Sequence, residues 1–71
     1  MKLTSVAKNL NLKSARVKLD MSQEDLAKAV GVTRQTISYI ENGEYNPTLN
    51  LCKKICKLLN KSLDELFGEQ A

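Results

Sequence analysis

Between Arg34 and Asn42 the chain gathers side chains able to exchange hydrogen bonds with another molecule: Arg34, Gln35, Ser38, Tyr39 and Asn42. On an α-helix, at about 100° per residue, Gln35, Ser38, Tyr39 and Asn42 share one face and Arg34 lies on its flank. A merely solvated helix face carries Glu and Lys; this one carries short or planar groups that mostly both donate and accept. Such groups can read base edges. A Gln amide pairs bidentately with N6 and N7 of adenine, and an Arg guanidinium with O6 and N7 of guanine. Just upstream, Ser22 and Gln23 open another helix, where side chains and free backbone N–H groups suit a phosphate.

Bond-making chemistry has little to work with. Histidine is absent, which removes the commonest general base and the commonest metal ligand. There is no nucleophile–base pair and no Gly-rich phosphate loop, and the carboxylates stand at helix starts and ends, where capping accounts for them. No enzymatic activity, cofactor or metal is expected. Cys52 and Cys56 lie one helical turn apart. Two thiols cannot complete a tetrahedral zinc site within one chain, and a disulfide at that spacing would be strained. They read as small buried hydrophobes.

The recognition face needs helices to hold it. Leu12, Ala15 and Leu19 fall at i, i+3 and i+7 and mark a first helix from about Leu10 to Lys18, with Leu10 and Val17 on its opposite side. Ser22 and Asp25 make a near capping box for a second helix, which buries Leu26, Ala27 and Val30 and ends at Gly31, a position suited to left-handed backbone. Thr33 caps the third helix, Arg34 to about Asn42; Ile37 and Ile40 turn inward and Gly43 stops it. After a turn from Glu44 to Pro47, Thr48 caps a fourth helix over about Leu49 to Leu59. Its apolar face holds Leu51, Cys52, Ile55, Leu58 and Leu59. Lys53, Lys54 and Lys57 face away and read as solvated surface, with a phosphate contact as the alternative. Ser62 and Glu65 box the start of a short last helix, Leu63 to Phe67, closed by Gly68.

The expectation is therefore an all-α fold, a compact bundle of five short helices forming a single domain over 1–71, with the helix-turn-helix at 22–42 and an N-terminal arm at 1–9. In the arm, Leu3 and Val6 either tuck against the core, pair as a strand with a second subunit, or fray. At 71 residues with 42% hydrophobic content the chain supports one small core, to which a partner subunit would add stability. No apolar run approaches ~18 residues, so nothing is expected to span a membrane. No secretion signal is evident, so a cytoplasmic setting is expected. A net charge of +3 permits a nucleic-acid partner without establishing one.

The run SQEDLAKAVGVTRQTISYIENGEYNP strongly resembles the Cro and repressor (XRE-type) family of small helix-turn-helix regulators of bacteria and phages. The resemblance covers about Leu12 to Phe67. It implies a sequence-specific regulator of transcription, most commonly a repressor, that binds double-stranded DNA as a homodimer on a palindromic operator. The third helices would then enter successive major-groove turns ~34 Å apart. By the same resemblance, Arg34, Gln35, Ser38 and Tyr39 read bases, and Ser22, Gln23, Thr33, Thr36 and Asn42 hold phosphates. Arg16 and Glu41 match a pair that ties the first helix to the end of the third. The loop after the third helix departs from the family: it carries Glu44 where Lys or Arg is common, so phosphate contacts there are expected from Tyr45 and Asn46. Tyr45 is equally readable as loop packing. Leu58, Leu63, Leu66 and Phe67 are candidates for the dimer interface. With no effector segment in the 71 residues, control is expected through concentration, dimerisation or a partner protein. The alternative reading is an interaction module, such as an antitoxin or an adaptor whose third helix binds a protein (a toxin or an anti-repressor).

Overall fold

The computed structural model describes residues 9–68. They form five helices: α1 (Leu10–Lys18), α2 (Gln23–Val30), α3 (Arg34–Glu41), α4 (Leu49–Leu59) and α5 (Leu63–Phe67). The all-α reading and the helix limits read from capping residues hold. Each start is fixed by a side-chain cap. Asn9 accepts from the N–H of Leu12, Ser22 from Asp25, Thr33 from Thr36, Thr48 from Leu51 and Ser62 from Glu65. The caps at Ser22 and Ser62 are reciprocal, because Asp25 and Glu65 return a hydrogen bond from their carboxylates to the cap N–H. These bonds satisfy donors that a helix leaves unpaired at its first turn. Asn9, read from the sequence as part of an N-terminal arm, is thus the cap of α1; Leu3 and Val6 lie outside the described residues.

The ends are set by backbone that only some residues tolerate. Gly31 stops α2 at φ 80° and Asn60 stops α4 at φ 57°. Asn is the one common non-glycine residue for that left-handed position. Gly68 ends α5 in extended backbone, φ −71°, and not in the left-handed form.

One fully buried side chain comes from every helix: Leu12, Leu26, Ile37, Ile55 and Leu66. Around them close Ala15, Ala27, Val30, Ile40, Leu51, Cys56 and Leu59, with Met21, Val32 and Phe67 packed at the edge. Helix α2 packs on α3 and α4, α1 on α3 and α5, and α4 on α5. Cys52 and Cys56 are buried and unbonded to one another. Burial pushes both thiols above their ordinary value, which holds them in the uncharged form, consistent with packing groups.

Three expectations need correction. Leu19 is 52% exposed. It falls after the last turn of α1, where the chain reverses through Asp20 at φ 61°, and buried Arg16 takes its place in the stripe. Leu58 is 40% exposed; the inward face of α4 is made by Leu51, Cys52, Ile55, Cys56 and Leu59. Leu66, a candidate for a dimer contact, is 2% exposed; it belongs to the core because α5 folds back against both α1 and α4. Among the described residues no helix is long and apolar enough to cross a membrane.

Candidate nucleic-acid interface

Helix α3 is held from behind and bare in front. Ile37 and Ile40 anchor it in the core. Arg34, Gln35, Tyr39 and Asn42 are exposed, and Ser38 is half-buried between them. Gln35 Nε2 donates to the Tyr39 hydroxyl at 2.7 Å, so these two side chains, one turn apart, stand as a pair. The bond uses one of two amide hydrogens. The other hydrogen and Oε1 remain, and a bidentate contact to adenine needs those two groups.

Thr33 and Thr36 open the helix, and their hydroxyls meet at 3.0 Å. Thr33 Oγ1 also accepts the N–H of Thr36; whichever hydroxyl donates, Thr36 keeps acceptor capacity toward solvent and one hydroxyl hydrogen of the pair remains to be donated outward. At the start of α2, the capping box consumes the N–H groups of Ser22 and Asp25. The N–H groups of Gln23 and Glu24 are left as donors for an outside acceptor. Asp25 is held below its ordinary carboxylate value, chiefly by the backbone bond from Ser22. Its charge is thereby committed to the cap. Tyr45 (43% exposed) and Asn46 are exposed in the following loop, as is Glu44.

The support behind α3 is polar and buried. Arg16 Nε donates to Glu41 Oε2 at 2.7 Å and Arg16 Nη2 to Glu41 Oε1 at 3.1 Å. The fork is side-on and bidentate, the strong form of this pair. A third donor, Arg16 Nη1, reaches the Met21 carbonyl at 2.7 Å. Arg16 and Glu41 are 7% and 5% exposed, so each charge relies on the other in place of water. The Glu41 backbone carbonyl also accepts from the N–H of Asn9 at 2.9 Å, and Asn9 Nδ2 donates to the Leu66 carbonyl at 2.8 Å. Asn9 thus fastens the end of α3 to α1 and α5.

Gln23 has a place that sequence reasoning did not foresee. Its Nε2 donates to Glu41 Oε1 at 3.1 Å, and its Oε1 accepts from Arg34 Nη1 at 3.3 Å. The carboxylate can only accept and the guanidinium can only donate, so the amide orientation is dictated by its neighbours. A continuous chain of bonds therefore runs from buried Arg16 through Glu41 and Gln23 to Arg34 at the surface. No sequence spacing signals this link, because its four members come from α1, α2 and both ends of α3. The Arg16–Glu41 pair was legible only through family resemblance, and Asn9 was read only as the last residue of the N-terminal arm.

Known proteins resemble this chain in sequence and in fold. A family model described as Helix-turn-helix matches residues 12–66. An uncharacterised HTH-type transcriptional regulator of Archaeoglobus fulgidus is 46% identical over 56 residues, covering 79% of this chain and 79% of the relative. The transcriptional repressor RstR of a cryptic CTXphi phage of Vibrio cholerae is 29% identical over 58 residues, covering 82% of this chain and 52% of RstR. Among solved structures, the restriction-modification controller protein C.AhdI from Aeromonas hydrophila superposes with a TM-score of 0.77 at 30% identity, covering 83% of this chain and 89% of that one.

Proposed function

From a chain that belongs to the XRE-type helix-turn-helix family of DNA-binding transcriptional regulators, we propose a repressor that binds as a homodimer to a palindromic operator, with α3 in the major groove. The observation that carries the reading is the outward row of exposed Arg34, Gln35 and Tyr39 with half-buried Ser38 between them, on a helix braced from behind by Glu41 and its partners. Arg34 and the Gln35–Tyr39 pair read base edges. Ser22, Gln23, Thr33, Thr36, Asn42, Tyr45 and Asn46 contact phosphates and set the register on the duplex. The direction of control follows that of RstR, a transcriptional repressor.

The dimer surface is assigned to the side of α4 and α5 where Leu49 (60% exposed), Leu63 (36% exposed) and half-buried Phe67 lie together. With Pro47 and Cys52 they line an open groove of about 540 Å³. Large apolar side chains left uncovered around one depression mark a site for another protein surface. A second copy places the same surface against itself about a two-fold axis, and each copy then presents one α3. Leu58 opens onto a different groove, with α2, and drops out of this surface, as buried Leu66 does.

Binding-site selection with the purified protein tests the reading. The expected product is a palindrome whose half-site centres lie about one helical turn apart. Affinity should fall steeply between two salt concentrations, as phosphate contacts require. Selection that returns no shared sequence would reject the reading.

A further inference from the structure

At the end of α2 remote from Ser22 and Gln23, its last turn and the second half of α4 enclose a second open groove of about 650 Å³. The floor is apolar: exposed Ala29, the edge of Val30, and Leu58, which is 40% exposed. The rims are cationic, with Lys28 on α2 and Lys54 and Lys57 on α4, and no carboxylate lines the groove. Lys28 has only a loose exposed contact, 3.7 Å to Glu24. Lys54 and Lys57 take part in no ion pair among the described residues. Read from sequence alone, the α4 lysines were solvated surface; in the fold they flank an uncovered leucine.

We propose that this groove docks an acidic amphipathic helix of another protein. Its aliphatic side chains cover Leu58 and Ala29, and its carboxylates meet the three lysines on both rims. Charge decides among occupants. A second copy on a two-fold axis would set these lysines against themselves, which like-charge repulsion disfavours. A nucleic-acid backbone matches the lysines but brings nothing to cover the leucine. An acidic helix satisfies both features. The eight residues of α2 span about 12 Å at 1.5 Å each, which separates this groove from Ser22 and Gln23, while its Gly31 stands two residues before Thr33. The inference stands whether or not the operator reading does.

A synthetic helical peptide with Leu at every third or fourth position and Glu between tests this, titrated into the isotope-labelled full chain by NMR. The expected result is amide shifts confined to Lys28–Gly31 and Lys54–Leu58. Affinity should weaken by about tenfold or more in the K54E/K57E double variant and similarly in Leu58→Gln. Thermal melts check that both variants fold. The same peptide with Lys in place of Glu needs no variant and should not bind. The proposal is overturned by shifts centred on α3 or on the Leu49–Phe67 side. It is equally overturned if a peptide with every Leu replaced by Gln binds as tightly, or if unrelated duplex DNA displaces the peptide from the groove.

Discussion

Glu41 has three side-chain donors to answer: two from Arg16 and one from Gln23. Replacing it by Gln keeps the shape and removes the charge that Arg16 relies on where water is excluded. Removing one member of a buried pair typically costs about 3 kcal/mol or more. Glu41→Gln is therefore expected to lower Tm by more than about 10 °C, by the usual scaling for domains of this size, and to weaken DNA binding along with it. A calorimetric melt matching the wild type would remove this role. Gln23 is a different case. Sequence reasoning expects Gln23→Ala to weaken binding evenly across DNA sequences, as loss of a phosphate contact does. The bond to Arg34 alters that expectation. Gln23→Ala should relax preference at the same base pair as Arg34→Ala, because the guanidinium loses its orienting acceptor. Selected sites that weaken evenly, with a salt slope reduced by about one, would leave Gln23 with its phosphate role alone.

Helix α3 works as an element because two isoleucines fix its rotation. With Ile37 and Ile40 inward, no other face than that of Gln35 and Tyr39 is turned out. Gln35→Ala is expected to relax preference at one position per half-site, by about 1–3 kcal/mol of discrimination, while leaving phosphate-driven affinity in place. Unchanged selected sites would remove the role. The starts of α2 and α5 carry a pH dependence. Asp25 and Glu65 are both held below their ordinary values, chiefly by backbone bonds from Ser22 and Ser62. A carboxylate lowered in the folded state adds stability that is complete above its unfolded value and is lost as pH falls through the lowered one. The fold should therefore lose stability below about pH 4. The Asp25→Asn and Glu65→Gln variants should be less stable than wild type at neutral pH and should lose less on acidification. Denaturation midpoints at neutral and acid pH read the difference.

For the whole molecule, the core and the proposed dimer surface are neighbours with different tasks. Leu66→Ala removes a side chain from the centre of the core and is expected to cost about 2–5 kcal/mol of stability. Leu63→Asp places a charge on the uncovered side of α5 instead. Its expected effect is a monomer with a melt like the wild-type monomer's and a loss of operator affinity. Sedimentation separates the two outcomes, and an unchanged dimer in Leu63→Asp would move the interface elsewhere.

Sequence alone determined the elements. Caps at Ser22, Thr33, Thr48 and Ser62 and stops at Gly31 and Gly43 act over three or four residues, so local order encodes them. It also determined which helix is polar outside, because a period of 3.6 residues separates Gln35 and Tyr39 from Ile37 and Ile40 wherever the helix lies. Only the tertiary structure decided what depends on distant parts of the chain meeting. It buried Leu66, read as a surface for a second subunit, and exposed Leu19 and Leu58, read as parts of inward stripes. It put Asn9 under two helix ends and joined Arg16, Glu41, Gln23 and Arg34 into one chain of bonds. A hydrogen bond between elements has no period along the sequence. Whether an apolar side chain is covered depends on the neighbour that folding brings to it.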